Sequence, residues 1–249
     1  MKNEKTKLSV NINKIATLRN ARGKNTPDIL HFSKIILKSK ACGLTVHPRP
    51  DERHIRRADV FDLKKLLKNY PDKEFNIEGY PSDSFIDLMK QIKPQQCTLV
   101  PDSPKVLTSN AGWDFVKYKA FLKTRVQELQ SCQIRSSLFL EPLKMNNNQY
   151  ESLQDIKPNR IELYTETYAE NYKNQDILKE YKKCANKVNQ LNIKLNAGHD
   201  LNQKNLSPLL KAIPQIKEVS IGQALISESL EEGITTTINK YIKIIDDCF

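Results

Sequence analysis

Eight short runs of five or six residues, each rich in aliphatic side chains, punctuate the chain. Between them the apolar positions switch to the three-and-four spacing of a helix. The runs are LSVNI at 8–12, GLTVH at 43–47, EFNIEG at 74–79 and CTLVP at 97–101. They continue with SSLFLE at 136–141, RIELYT at 160–165, KLNAGH at 194–199 and EVSIGQ at 218–223. Their near-continuous apolar character predicts parallel strands covered on both faces. In the segment 28–40, Ile29, Phe32, Ile35 and Ile36 form one stripe, and in 58–69 Val60, Leu63, Leu66 and Leu67 do the same. A helix over 82–93 is predicted to start with Ser82 as its cap and to bury Phe85, Ile86, Met89 and Ile92. Similar patterns come after Trp113 (Phe121, Leu122, Val126, Leu129), occupy 176–190, and recur at 207–213 with Pro208 early in the helix, where proline is tolerated. The stretch 226–245 closes the series. Eight strand-then-helix units in 249 residues predict one (β/α)8 barrel domain over 1–249. The alternative is an open doubly wound sheet, which usually carries a glycine-rich phosphate loop after its first strand; NINKIATLRNARG at 11–23 has no such fingerprint.

Composition narrows the partners. The 40 Lys and Arg against 29 Asp and Glu leave a net charge of +11, which favours anions: phosphorylated metabolites, nucleic acid or acidic surfaces. The lysines are dispersed over helical faces, with neither a recognition motif nor an aromatic stacking platform, which argues against nucleic acid. Five scattered cysteines with no Cys-x-x-Cys point away from a disulfide framework or structural zinc and toward a reducing, cytoplasmic setting. MKNEKTKLSV lacks the apolar core of a signal peptide, and no run approaches the roughly 18 apolar residues of a membrane span, so a soluble protein without a membrane partner is expected.

Barrels of this kind gather their chemistry at the C-terminal ends of the strands. Those ends carry Asn11, His47, Glu78, Glu162 and His199, with Gly222 and Gln223 at the last. The second end is crowded: LTVHPRPDERHIRR at 44–57 sets a strand against two prolines, two histidines and four arginines. Each residue also has a structural explanation. His47 could be a hydrogen-bonded strand end, Glu78 a loop-solvating group, and His199 a cap for the next segment. Glu162 lies inside an apolar strand, where an unpaired charge is costly, so it either binds an internal cation or faces a polar centre. Together they suit proton transfer near neutral pH. Gly198–Asp200 and Gly222–Gln223 are candidates for a phosphate cradle, although the Asp200 carboxylate would have to point away. Arg22 and Arg49 are candidate guanidinium forks, and Thr108 with Ser109 a hydroxyl pair. Arg19 reads as a solvated surface ion. Lys14 invites a Schiff-base reading, but nothing marks it as desolvated, and an anion contact suits it better. His47 and His54, seven apart across prolines with no HExxH motif, do not make a metal site.

The segments VNINKIATLRNARG, LTVHPRPDERHI, FNIEGYPS, LVPDSP with LTSNAGWD, IELYTETYA, LNAGHDL and VSIGQALIS, in this order over nearly the whole chain, resemble the pyridoxine 5'-phosphate synthase family of vitamin B6 biosynthesis. The resemblance implies a (β/α)8 TIM barrel with additional helices, commonly a homo-octamer, that needs no metal or organic cofactor. It implies condensation of 3-amino-2-oxopropyl phosphate with 1-deoxy-D-xylulose 5-phosphate to pyridoxine 5'-phosphate, phosphate and water. By motif, His47 and Glu78 correspond to proton acceptors, His199 to a proton donor and Glu162 to the group stabilising cationic transition states. Asn11, Arg22, Asp200, Gly222 and Gln223 correspond to contacts of the amino-ketone phosphate. Asn13, Lys14, Arg49, His54 and Thr108 correspond to those of the sugar phosphate. Three positions depart from the common pattern: Asn13–Lys14 stands where many members have Asp-His, a subfamily variant; Glu166 stands in place of a glycine; and Gln223 in place of a histidine. These bear on phosphate affinity. A phosphosugar barrel enzyme with an altered substrate is the neighbouring alternative.

Overall fold

All eight runs are strands, and they pair in parallel in chain order: β1 (Lys7–Asn11), β2 (Gly43–Val46), β3 (Glu74–Gly79), β4 (Gln96–Leu99), β5 (Arg135–Leu140), β6 (Arg160–Tyr164), β7 (Lys194–Gly198) and β8 (Ile216–Ile221). β8 pairs back onto β1, so the sheet closes into a barrel. This is a computed structural model, and it describes residues 5–101 and 112–249. Connections alternate with the strands: α1 (Asn13–Arg22) and α2 (Ile29–Leu37), then α3 (Arg57–Leu67), α4 (Asp83–Ile92) and α5 (Lys119–Ser131). A short 3-10 turn (Pro142–Lys144) and α6 (Asn147–Ile156) come after β5, and α7 (Glu166–Glu170) with α8 (Gln175–Gln190) after β6. The chain ends with α9 (Leu206–Ala212), α10 (Gln223–Glu232) and α11 (Ile234–Asp246). No helix among the described residues is long and apolar enough to cross a membrane.

The helical stripes land where the spacing predicts. In α4, Ser82 accepts from the Phe85 N–H, and Phe85, Ile86, Met89 and Ile92 are buried against the barrel. The C-terminal stretch differs from expectation. It is broken at Gly233, whose φ of 79° and ψ of 139° lie outside helical backbone and in a region that suits glycine. α1 and α6 are helices that the apolar spacing does not predict. α6 presents only Leu153, Ile156 and Ser152 as buried positions, a stripe too sparse to stand out; its start is marked by Asn146, whose side chain accepts from the Gln149 N–H.

The strands are not apolar on both faces, as their composition suggests. The aliphatic core lies outside the barrel, between strands and helices, and the lumen is polar. Ser9, Thr45, Asn76 and Thr98, on four successive strands, form a side-chain chain: Ser9 to Thr45 at 2.7 Å, Asn76 to Thr45 at 3.3 Å, Thr98 to Asn76 at 3.0 Å. Nearer the N-terminal end, Gln96 of β4 donates to Glu218 of β8 at 3.3 Å and accepts from Asn196 of β7 at 3.4 Å. Those strands are not neighbours, so these bonds cross the lumen. Arg160 donates to Asn196 at 3.0 Å and to Glu218 at 2.9 Å, and Arg135 pairs with Glu74. Most of these buried polar groups are tolerable because they satisfy one another; Ser137 Oγ, Arg160 Nε and Glu162 Oε2 have no hydrogen-bond partner among the described residues.

Candidate active site

At the C-terminal mouth the lumen opens into a cavity of about 500 Å³. Its floor and walls bring together the four residues picked from distant strand ends: His47, Glu78, Glu162 and His199. The His47 Nδ1 lies 3.9 Å from a Glu78 carboxylate oxygen. Glu162 is only 1% exposed, and its Oε2 has no hydrogen-bond partner among the described residues. Gly198 makes room for it, since a β-carbon there would lie 2.2 Å from Glu162 Oε1. His199 comes after β7 in a positive-φ conformation (87°), as does Asp200 (55°), a cost of about 1–2 kcal/mol per residue for L-amino acids. The turn is held by Thr165, whose backbone N–H donates to the Gly198 carbonyl at 2.9 Å and whose hydroxyl lies 2.7 and 2.5 Å from the Gly198 and His199 carbonyls.

A second wall is basic. Lys14, Arg49, Arg53 and His54 line it, and its loop is fastened to α1. Asn13 accepts from the His47 backbone N–H at 2.9 Å, and Asn20 donates to the His54 carbonyl at 2.7 Å. Arg19 is 3% exposed, forks onto both oxygens of Asp59 at 2.6 and 2.9 Å, and donates to the same His54 carbonyl at 3.2 Å. It is therefore a buried bracket under the loop and not the surface ion its sequence context suggests. His54 Nδ1 accepts from the Ile55 N–H at 2.9 Å, which leaves the proton of the neutral ring on Nε2. On the remaining side, Gly222, Gln223 and Ala224 present the start of α10 to the cavity, a place where backbone N–H groups and the helix dipole favour an anion.

Burial and like charge set the ionisation. The His47 imidazole is held well below its usual range by burial, then by Arg49, His54 and His199. Burial and then Arg49 bring His199 down to about 4; burial, Arg49 and Lys14 bring His54 to about 4. Glu162 is pushed well up, first by burial and then by the charges of Glu78 and Glu218. Asp200 is raised by burial, Glu166 and Glu170. In the protein by itself the imidazoles are thus neutral bases at pH 7.

Twelve of the fourteen residues picked from the sequence line this cavity: the four above with Asn11, Asn13, Lys14, Arg49, His54, Asp200, Gly222 and Gln223. Arg22 does not; it is exposed in the last turn of α1. Thr108 lies outside the described residues. The structure adds Arg53, which lines the wall beside His54 and pairs with Asp51 at 2.7 Å, and whose place in DERHI was the available signal. It also adds Glu166 as part of the lining. Among the described residues no group of three or more His, Cys, Asp or Glu is arranged to hold a metal ion.

Barrel, acid–base floor and basic wall together define an enzyme-like site for proton transfer on a small anionic molecule. The comparison with known proteins is specific. The family model described as pyridoxal phosphate biosynthesis protein PdxJ matches residues 8–247, and the chain belongs to that family. The pyridoxine 5'-phosphate synthase of Christiangramia forsetii is 48% identical over 242 residues, covering 96% of this chain and 99% of that protein. The protein of the same name from Bacteroides thetaiotaomicron is 49% identical over 238 residues, covering 95% and 98%. Among solved structures, thiamine phosphate pyrophosphorylase from Pyrococcus furiosus superposes with a TM-score of 0.62 at 11% identity, covering 98% of this chain and 96% of that one. A mutant tryptophan synthase alpha-subunit from the same organism gives 0.62 at 13% identity, covering 98% and 97%. These two likenesses concern the fold.

Proposed function

We propose that the chain is a pyridoxine 5'-phosphate synthase, joining 3-amino-2-oxopropyl phosphate to 1-deoxy-D-xylulose 5-phosphate and releasing phosphate and water. The carrying observation is the convergence of His47, Glu78, Glu162 and His199 on one cavity, in a chain of this family. The substrate amine supplies the imine nitrogen, so no lysine of the chain has to form it. Lys14 then serves as a cation on the basic wall. Arg49 and the Nε2–H of His54, with Asn13, Lys14 and Thr108, hold the sugar phosphate; Asn11, Asp200, Gly222 and Gln223 hold the amino-ketone phosphate. Arg22, exposed at the end of α1 and outside the lining, stays in the proposal as a further contact of the amino-ketone phosphate. A homo-octamer in the cytoplasm belongs to the same reading.

The proton work is set by position. Neutral His47 and the adjacent Glu78 are bases able to remove protons next to the imine, which drives enamine formation and phosphate loss. His199 returns a proton as the ring closes and water leaves. Its low pKa in the protein by itself reflects burial and Arg49; a phosphate dianion against Arg49 opposes that charge and lifts the imidazole toward a donor's range. Glu162, disfavoured as an anion by burial, ionises more readily once a cationic imine stands above it. Purified protein given both substrates should yield pyridoxine 5'-phosphate, identified by mass; none at saturating substrate would defeat the proposal. Glu78→Gln should lower kcat by at least about a hundredfold with the fold intact, and near-normal turnover would remove Glu78 from its role.

A further inference from the structure

Three consecutive residues at the end of β6 converge on the turn that carries His199. Thr165 fixes that turn's backbone through the Gly198 and His199 carbonyls. Tyr164, 2% exposed, lays its ring against the imidazole with centroids 4.5 Å apart and planes tilted by 50°. Phe139 meets the imidazole from another side, edge to face at 5.2 Å. The imidazole is thus oriented by ring contacts, which fix a plane only as well as the rings themselves are fixed. Glu166 contributes to that fixity, because the Tyr164 hydroxyl donates to its Oε2 at 2.5 Å. Such a charge-assisted bond is directional. Burial and Glu166 both push the Tyr164 pKa up, so the phenol keeps the proton it donates.

We propose that Glu166 is a positioning residue for His199, acting through Tyr164: it locks the tyrosine ring, and the ring locks the imidazole in its strained turn. This rests on the reading of His199 as the proton donor. The competing role for Glu166 comes from its place in the lining: a carboxylate there repels a phosphate and does nothing else. The two roles predict different kinetics. A positioning residue acts on the chemical step, so its loss lowers kcat and leaves substrate affinity alone. A mere like charge acts on binding, so its loss lowers KM and leaves kcat alone.

The test is a set of variants: Tyr164→Phe, which keeps the ring but removes the hydroxyl; Glu166→Ala; Glu166→Gln, which keeps an acceptor oxygen without the charge; and the double Tyr164→Phe/Glu166→Ala. Tyr164→Phe and Glu166→Ala should each reduce kcat on the order of tenfold with KM within about twofold, the penalty of a slightly misplaced group. The double variant should be no worse than Tyr164→Phe alone, because that change already breaks the link to Glu166. Glu166→Gln should restore most of the rate. The imidazole C–H resonances of His199, shifted by the Tyr164 ring current, should move in Tyr164→Phe and Glu166→Ala and stay in place in Glu166→Gln. That signal does not depend on turnover: if the native chain makes no product, the functional reading fails while the resonances still decide the positioning. Unmoved resonances, multiplying single effects, or a lower KM with unchanged kcat in Glu166→Ala would each overturn it.

Discussion

Glu162 is a carboxyl group that the fold makes hard to ionise: buried, close to Glu78 and Glu218, with one oxygen unpartnered among the described residues. A carboxyl whose folded pKa lies above its ordinary 4.5 contributes most to stability below that pH and loses the contribution as pH rises. At pH 8 it is therefore a liability. Glu162→Gln is expected to raise stability there by roughly 1–2 kcal/mol, a gain of a few degrees in Tm, while turnover collapses. The gain should shrink as pH falls toward 4.5, and thermal unfolding from pH 8 to 5 checks both the sign and the trend. A loss at pH 8 would mean that the charge is compensated. The histidines run the other way. Their depressed pKa values give stability that is present above the ordinary 6.5 and lost as pH falls toward about 4. In proton spectra His54 and His199 should titrate near 4 in the free protein and move upward when inorganic phosphate binds. Midpoints near 6.5 without ligand would show that neither burial nor Arg49 governs them.

At the scale of elements, strands and strong helical stripes were legible because period and burial coincide. Phe85, Ile86, Met89 and Ile92 of α4 face the core for the same reason they stand out in the sequence. Strand ends were legible as a site because His47 and Glu78 are residues an apolar run would not otherwise tolerate. What escaped was whatever depends on a distant partner. The segment after β1 is a helix whose Arg19, in the last turn, is buried, and the positions of Asp59, at the start of α3, and of the His54 carbonyl explain it. The polar residues inside the strands were hidden in the same way: Asn76 and Gln96 look like flaws until their partners are known, on the flanking strands for Asn76 and across the lumen for Gln96. The Arg19 bracket supports the loop bearing Arg49 and His54, so it links folding to binding. Arg19→Ala leaves the Asp59 carboxylate without its fork and should cost about 2–4 kcal/mol in urea unfolding. It should also raise KM for the sugar phosphate more than it lowers kcat. A stable variant with unchanged KM would show that the loop stands without α1.

For the whole molecule, the question is why a barrel should fill its interior with charge when aliphatic side chains would fill it at less desolvation cost. The lumen network answers in part, because most of its bonds join strands that the sheet itself does not join. Arg160 of β6 reaches Glu218 of β8 and Asn196 of β7, and Gln96 of β4 reaches both of the latter. Energy held in such a network is shared, so Arg160→Met and Glu218→Gln should each destabilise by about 2–4 kcal/mol, each leaving one buried group uncompensated. The double variant removes both charges and should fall short of the sum by about 2 kcal/mol. The network also reaches the chemistry. Arg160 lowers the pKa of Glu162, two residues further along the same strand, while Glu78 and Glu218 raise it. Removing Arg160 makes Glu162 harder still to ionise. If the anion of Glu162 is what stabilises the cationic imine, the acid limb of the kcat profile must move to higher pH in Arg160→Met and return part of the way in the double variant, where a raising charge is lost as well. Additive stabilities with an unmoved profile would make the lumen mere filling. A coupled cycle with a shifted limb would make it the part of the barrel that holds the closed sheet together and sets the charge at its mouth.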